Sequence, residues 1–146
     1  MMRTFIILFA VLVSQQCLAQ SDIVGLWKTI DDNTGKERSI VEIYQKDGAY
    51  FGEVKKLYRD PGEDPNPMCD DCEEDDDRYM KPVIGMEIIR DLKKDDDEYS
   101  GGTVLDPENG SVYRCKIWLE DGNLMLRGYI AFFFRTQTWL PYEGKI

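Results

Sequence analysis

VYRCKIWLEDGNLMLRGYI, residues 112–130, reads as two extended segments either side of one turn. Tyr113, Cys115, Ile117 and Leu119 fall on one face of the first segment, with Arg114 and Lys116 on the other. That is the period-two pattern of a strand with one buried face. Asp121 and Gly122 then form a two-residue hairpin signal, and residues 124–130 return as a second strand.

The same grammar runs outward in both directions. Residues 25–30, 38–46, 49–58, 84–92, 99–105 and 132–139 are β-rich and are separated by turn signals: a polar stretch at 31–35, Asp47 with Gly48, a charged stretch at 93–97, and 107–110. Val41 and Ile43 oppose Glu42, and Ile84, Met86 and Ile88 oppose Glu87, while parity blurs in the first and last strands. No segment keeps a helical period. The fold expected is all-β, an eight-stranded antiparallel up-and-down barrel, since closure removes the sheet edges that invite aggregation. Such a barrel is either filled by its own side chains or wide enough for one small ligand.

Arg3, the apolar run 5–13 and the small-residue exit at Cys17 and Ala19 have the build of a secretory leader, 1–19, with cleavage before Gln20. Gln16 stands where a lipid-attachment signal wants a small residue, which argues against lipidation at Cys17. Residues 20–146 then form one domain, with no membrane insertion after cleavage, in a periplasmic or secreted, oxidising compartment. The chain holds 28 acids against 18 bases, and residues 60–77 alone contain ten acids and no base. The net negative charge belongs to that loop, and it excludes nucleic acid and anionic lipid as partners.

The loop at 59–83 carries Cys69 and Cys72 amid acids and is longer than the ~12–15 residues a compact domain usually leaves unstructured. A disulfide closing so small a ring offsets only about 2 kcal/mol of chain entropy. A bridge alone therefore leaves most of the loop mobile. Compartment favours a structural disulfide between Cys69 and Cys72. As a metal site the two thiolates lack further Cys or any His, and Asp70, Asp71, Glu73 and Asp75 make a weak calcium alternative without EF-hand spacing. As a redox centre the pair sits in a field of acids that raises thiol pKa. Cys115 reads as a buried thiol packing as a small apolar side chain.

The chain has no histidine, which removes Ser-His-Asp and Cys-His catalysis and imidazole ligation. The strand and helix settings of G-x-S-x-G, the P-loop and G-x-G-x-x-G are missing too. No enzyme activity, catalytic residue or cofactor is expected.

Gly25, Leu26 and Trp27 resemble the G-x-W that opens lipocalin-type barrels, with Arg127 or Arg135 available to pack on that tryptophan. Nearly all of the chain after the leader resembles a family of bacterial secreted proteins, domain of unknown function family 2147. The likeness is carried by Gly25 with Trp27, the Cys69 and Cys72 pair, Pro82 with Gly85, the run DPENGSVYRCKI at 106–117, Arg127 with Gly128 and Tyr129, and Arg135, Thr136 and Trp139. It implies a lipocalin-like barrel exported from the bacterial cytoplasm, in a family with no established activity.

The function expected is interior binding of a small, partly apolar ligand, with Trp27, Tyr113, Arg127, Tyr129, Arg135 and Trp139 as lining residues. An arginine beside aromatics can pair with a ligand carboxylate or stack on Trp27. The competing reading is a filled barrel whose acidic loop engages a basic partner or calcium in the envelope. No oligomeric state is specified by the pattern. Intact-mass measurement of the exported protein is expected to show a chain beginning at Gln20, heavier after reduction by the two hydrogens of one opened disulfide.

Overall fold

The computed structural model describes residues 22–146, so the expected leader at 1–19 lies outside the described residues. Eight strands follow in chain order: β1 (Gly25–Ile30), β2 (Glu37–Lys46), β3 (Ala49–Leu57), β4 (Glu87–Asp95), β5 (Glu98–Asp106), β6 (Ser111–Glu120), β7 (Asn123–Ile130) and β8 (Phe133–Pro141). Each pairs antiparallel with the next and β8 returns to β1, closing the expected up-and-down barrel. Asp47, Asp96, Asp121 and Ala131 open the tight connections with φ between 48° and 54°. Asp tolerates this left-handed region better than most side chains, which is why Asp-rich pairs mark three of the four turns.

The β4 boundaries differ from the sequence pattern. Ile84, expected on the buried face, lies before the strand and is exposed, its amide N–H donating to the Asn66 side chain. Gly85, at φ 90°, turns the chain so that its N–H reaches the Val54 carbonyl, and the strand begins only at Glu87. Ile88 and Ile89 are both buried because the β3 to β4 register shifts beside them, breaking strict alternation. At the other end β4 runs through the charged residues 93–95, which pair with β5 as far as Asp95 opposite Glu98. Their charge reflects solvent at a projecting hairpin tip, not a turn.

One end of the lumen is packed shut. Ile23 and Trp27 are fully buried there, with the Trp27 indole N–H donating to the Ile23 carbonyl at 2.7 Å. The Tyr50 and Tyr99 rings meet edge to face at 4.8 Å, and the Tyr99 hydroxyl donates to Asp22. Burial, helped by the Asp22 charge, pushes the Tyr99 phenol up to about 12, so it stays a donor through neutral pH.

The acidic loop is ordered against this barrel, where the entropy argument left it mobile. Cys69 and Cys72 are joined in a disulfide and both are buried. What the bridge cannot supply comes from elsewhere. Met68 pairs with Pro82 as a short antiparallel bridge, and backbone bonds link Cys69 to Lys81 and Met80 to Cys69. Buried Arg78 donates to both Asp76 oxygens at 2.7 and 2.8 Å and to the Glu87 carbonyl, while Arg90 grips Asp77 through two bonds. These groups tie the loop to the start of β4. The bridged turn also lies on the 107–110 connection so closely that a Cβ on Gly110 would sit 1.8 Å from the Asp71 carbonyl oxygen.

Gly110→Ala is therefore expected to displace the disulfide turn, read as faster amide hydrogen exchange at 69–72 together with a lowered Tm. Arg78 holds the Asp76 carboxyl well below its ordinary value of 3.8. A depressed acid stabilises fully above the unfolded value and loses that stabilisation as pH falls below it. Asp76→Ala strands a buried guanidinium and is expected to cost about 3 kcal/mol at neutral pH, the low end for breaking a buried pair. Urea unfolding in a pH series checks both parts: the variant's deficit narrows as the parent is acidified.

Candidate functional site

Four connections gather at the end opposite the plug: 31–36 after β1, the acidic loop after β3, 107–110 after β5, and Ala131 with Phe132 after β7. Between them opens a cavity of about 650 Å³. Its floor is apolar, made by Val54, Ile88, Val104, Leu126 and Trp139, all buried. The volume falls in the ~300–1,000 Å³ range of small-molecule sites. The barrel is thus filled in one half and hollow in the other.

Strand parity explains who faces the hollow. On β7 and β8 the opposed pairs Leu124 with Trp139, Leu126 with Gln137, Gly128 with Arg135 and Ile130 with Phe133 climb from the core to the rim. Gly128 matters in this stack, because it leaves the space over which the Tyr113 side chain lies, 3.6 Å from where a Cβ would be. The polar groups along the wall are few. Thr29 and Ser39 share a hydrogen bond at 2.7 Å, and Gln137 accepts from the Trp139 indole N–H. The Tyr113 hydroxyl makes no hydrogen bond among the described residues, which leaves it available to a ligand in the cavity.

Charge is confined to the mouth. Arg38 pairs with Glu108, Arg59 with Glu63 at 3.6 Å, and Arg135 with Asp32 at 2.8 Å. Arg38 and Arg135 are answered by acids on neighbouring connections and Arg59 by an acid of its own loop, so the mouth is polar yet locally neutralised. These pairs are solvent-exposed and weak, at ~0–1 kcal/mol each. A ligand headgroup of either sign can displace one partner at little cost.

Tyr113, Arg135 and Trp139 line the cavity. Trp27 belongs to the plug below it. Arg127 and Tyr129 occupy the alternate parity of β7 and face outward: Arg127 lies over the Trp118 ring at 5.2 Å and the Phe134 ring at 4.3 Å and donates to Thr136. Neither Arg127 nor Arg135 stacks on Trp27. Sequence reading missed the floor residues Val54, Ile88, Val104 and Leu126, although inward parity on each strand was the signal that would have selected them. It also missed the Arg38–Glu108 and Arg135–Asp32 mouth pairs, which join residues far apart in the chain and leave no local pattern. Asp70, Asp71, Glu73 and Asp75 do not converge, and among the described residues no group of three or more His, Cys, Asp or Glu side chains is placed to hold a metal ion.

This arrangement, a one-ended β-barrel with an apolar pocket, defines the class of structure. The chain matches the model of the family described as uncharacterized protein conserved in bacteria, DUF2147, over residues 25–140, and it belongs to that family. Protein HP1028 from the human pathogen Helicobacter pylori, described as belonging to the lipocalin family, shares the fold with a TM-score of 0.70 over 84% of each chain at 17% identity. No curated protein matches the sequence.

Cys115, inward on β6, is buried and unpaired, and burial pushes its thiol up to about 12. At neutral pH it remains protonated. It is expected to resist maleimide in the folded protein and to react fully in denaturant, checked by intact mass.

Proposed function

We infer that this protein is an exported, non-catalytic binder of a small, partly apolar molecule held in the open half of the barrel. The observation that carries the reading is the joining of an apolar floor to a charged but neutralised mouth in one cavity of about 650 Å³. That gradient suits an amphiphile whose chain descends towards Leu126 and Trp139 and whose polar head stays near Arg38, Arg59 and Arg135. Apolar burial supplies affinity at ~25 cal/mol per Å², and the Tyr113 hydroxyl and rim charges orient the head. The Cys69–Cys72 disulfide fits an extracellular or periplasmic protein. The family match and the fold likeness are consistent with a non-enzyme.

The acidic loop supports this role structurally. Asp76 and Asp77 are engaged by Arg78 and Arg90, and the loop contributes Pro67, Met68 and Asp70 to the cavity wall. It therefore works as one side of the mouth.

Titration with a fluorescent single-chain amphiphile is expected to show saturable one-to-one binding by the parent protein. Leu126→Trp, which fills the floor, is expected to weaken it at least about tenfold, equal to ~1.4 kcal/mol. Tyr113→Phe is expected to cost less than that, with the fold unchanged by circular dichroism. Equal affinity in the parent and the floor-filled variant would remove the lumen as the site.

A further inference from the structure

The hairpin between β7 and β8 ends in IAFFF, residues 130–134, and every one of these side chains is exposed. Phe132 is 99% accessible, Phe133 78%, Phe134 61% and Ile130 57%. Contiguous apolar exposure of this kind marks an interaction site. Its shape narrows the partner. Phe133 faces the cavity, Phe134 has the opposite parity, and Phe132 stands at the apex, so the rings spread around a convex tip. A lipid surface can receive all of these rings at once.

Charge points the same way. From Gly122 to Tyr142 the chain contains no acid, although the whole carries 28, and its only charges are Arg127 and Arg135. Arg114, next to Tyr129 across the β6 to β7 register, is exposed and has no ion pair among the described residues. Arg127 lies over Phe134. Aromatic rings with Arg114 and Arg127 at their base, Arg135 being paired with Asp32, match the layering of a bilayer surface, with acyl chains below and phosphates above. The acidic loop joins β3 to β4, four strands away round the eight-stranded barrel, so the two rims carry opposite character. Ile130, Phe133 and Phe134 are also wall residues of the cavity, which makes the tip continuous with its mouth.

The geometry points to the β7 to β8 hairpin as a lipid-docking tip that inserts shallowly into a charge-neutral membrane surface and sets the cavity mouth against it. The cavity then exchanges a single-chain amphiphile with the membrane directly, without passage through water. Exchange rests on the binding role inferred for the cavity; docking does not. A net charge of −10 opposes approach to an anionic surface, so neutral lipid is the preferred one.

Flotation with phosphatidylcholine vesicles tests docking. The parent protein is expected to float, less so with phosphatidylglycerol-rich vesicles at low salt, and Phe132→Asp to reduce flotation at least about tenfold, in line with loss of one buried Phe side chain. Phe132 does not line the cavity, so uptake of the soluble fluorescent amphiphile by that variant should match the parent and reports its folding. Leu126→Trp should float normally while losing probe uptake, which separates failure of the cavity reading from failure of docking. Docking is overturned if the parent stays in the aqueous phase, or if Phe132→Asp floats as well as the parent. It is equally overturned if sedimentation shows the hairpin buried between two copies that Phe132→Asp separates, without vesicle binding by either.

Discussion

The seam between the first and last strands is the contact on which the architecture depends. Only Trp27 with Pro141 and Lys28 with Leu140 are in register across it, reinforced by the Tyr142 N–H donating to the Leu26 carbonyl. This short closure sits beside the plug, where Ile23 and Trp27 remove the lumen. Towards the mouth β1 stops at Ile30, and β8 continues to Phe133 without it. Closure and filling therefore belong to one end of the barrel, and hollowness and exposed side chains to the other. Dense packing holds the sheet shut, and the open end inherits a fixed circumference without needing a core of its own.

That division lets the connections at the mouth diverge in character. On one side the acidic loop is held down by Arg78, Arg90, the Met68 to Pro82 bridge and the close approach of Gly110 to Asp71. Its many carboxylates are largely solvent-facing, and those that turn inward meet arginines. On the other side the β7 to β8 hairpin carries no acid and ends in exposed phenylalanines. Under the binding role proposed above, a cavity with one wall of each kind would distinguish the two ends of an amphiphile, which a uniformly greasy or uniformly charged rim would not do.

The family to which the chain belongs carries no established activity, and the likeness to the H. pylori protein concerns the fold. Function has to be argued from the site itself. The proposed binding role rests on the half-filled lumen, an apolar cavity with a few oriented polar groups of the kind that small-molecule sites share.

Strand number, the turns at Asp47, Asp121 and 107–110, the single buried face of β6 and the burial of Cys115 were all legible in the sequence, because period-two alternation and positive-φ turn residues are local properties. The Cys69–Cys72 disulfide was favoured from compartment, over metal and redox alternatives, and the structure forms it. The sequence alone could not order the acidic loop, since Asp76 with Arg78, Asp77 with Arg90 and Gly110 against Asp71 depend on how distant segments meet. Nor could it sort the aromatic and arginine candidates: Tyr113, Arg135 and Trp139 reach the cavity while Arg127 and Tyr129 turn outward, a one-residue difference in parity that only the β7 to β8 register decides. How far the lumen is filled was likewise a tertiary outcome, because it depends on where the side chains of eight strands meet along one axis, and no single strand encodes that height.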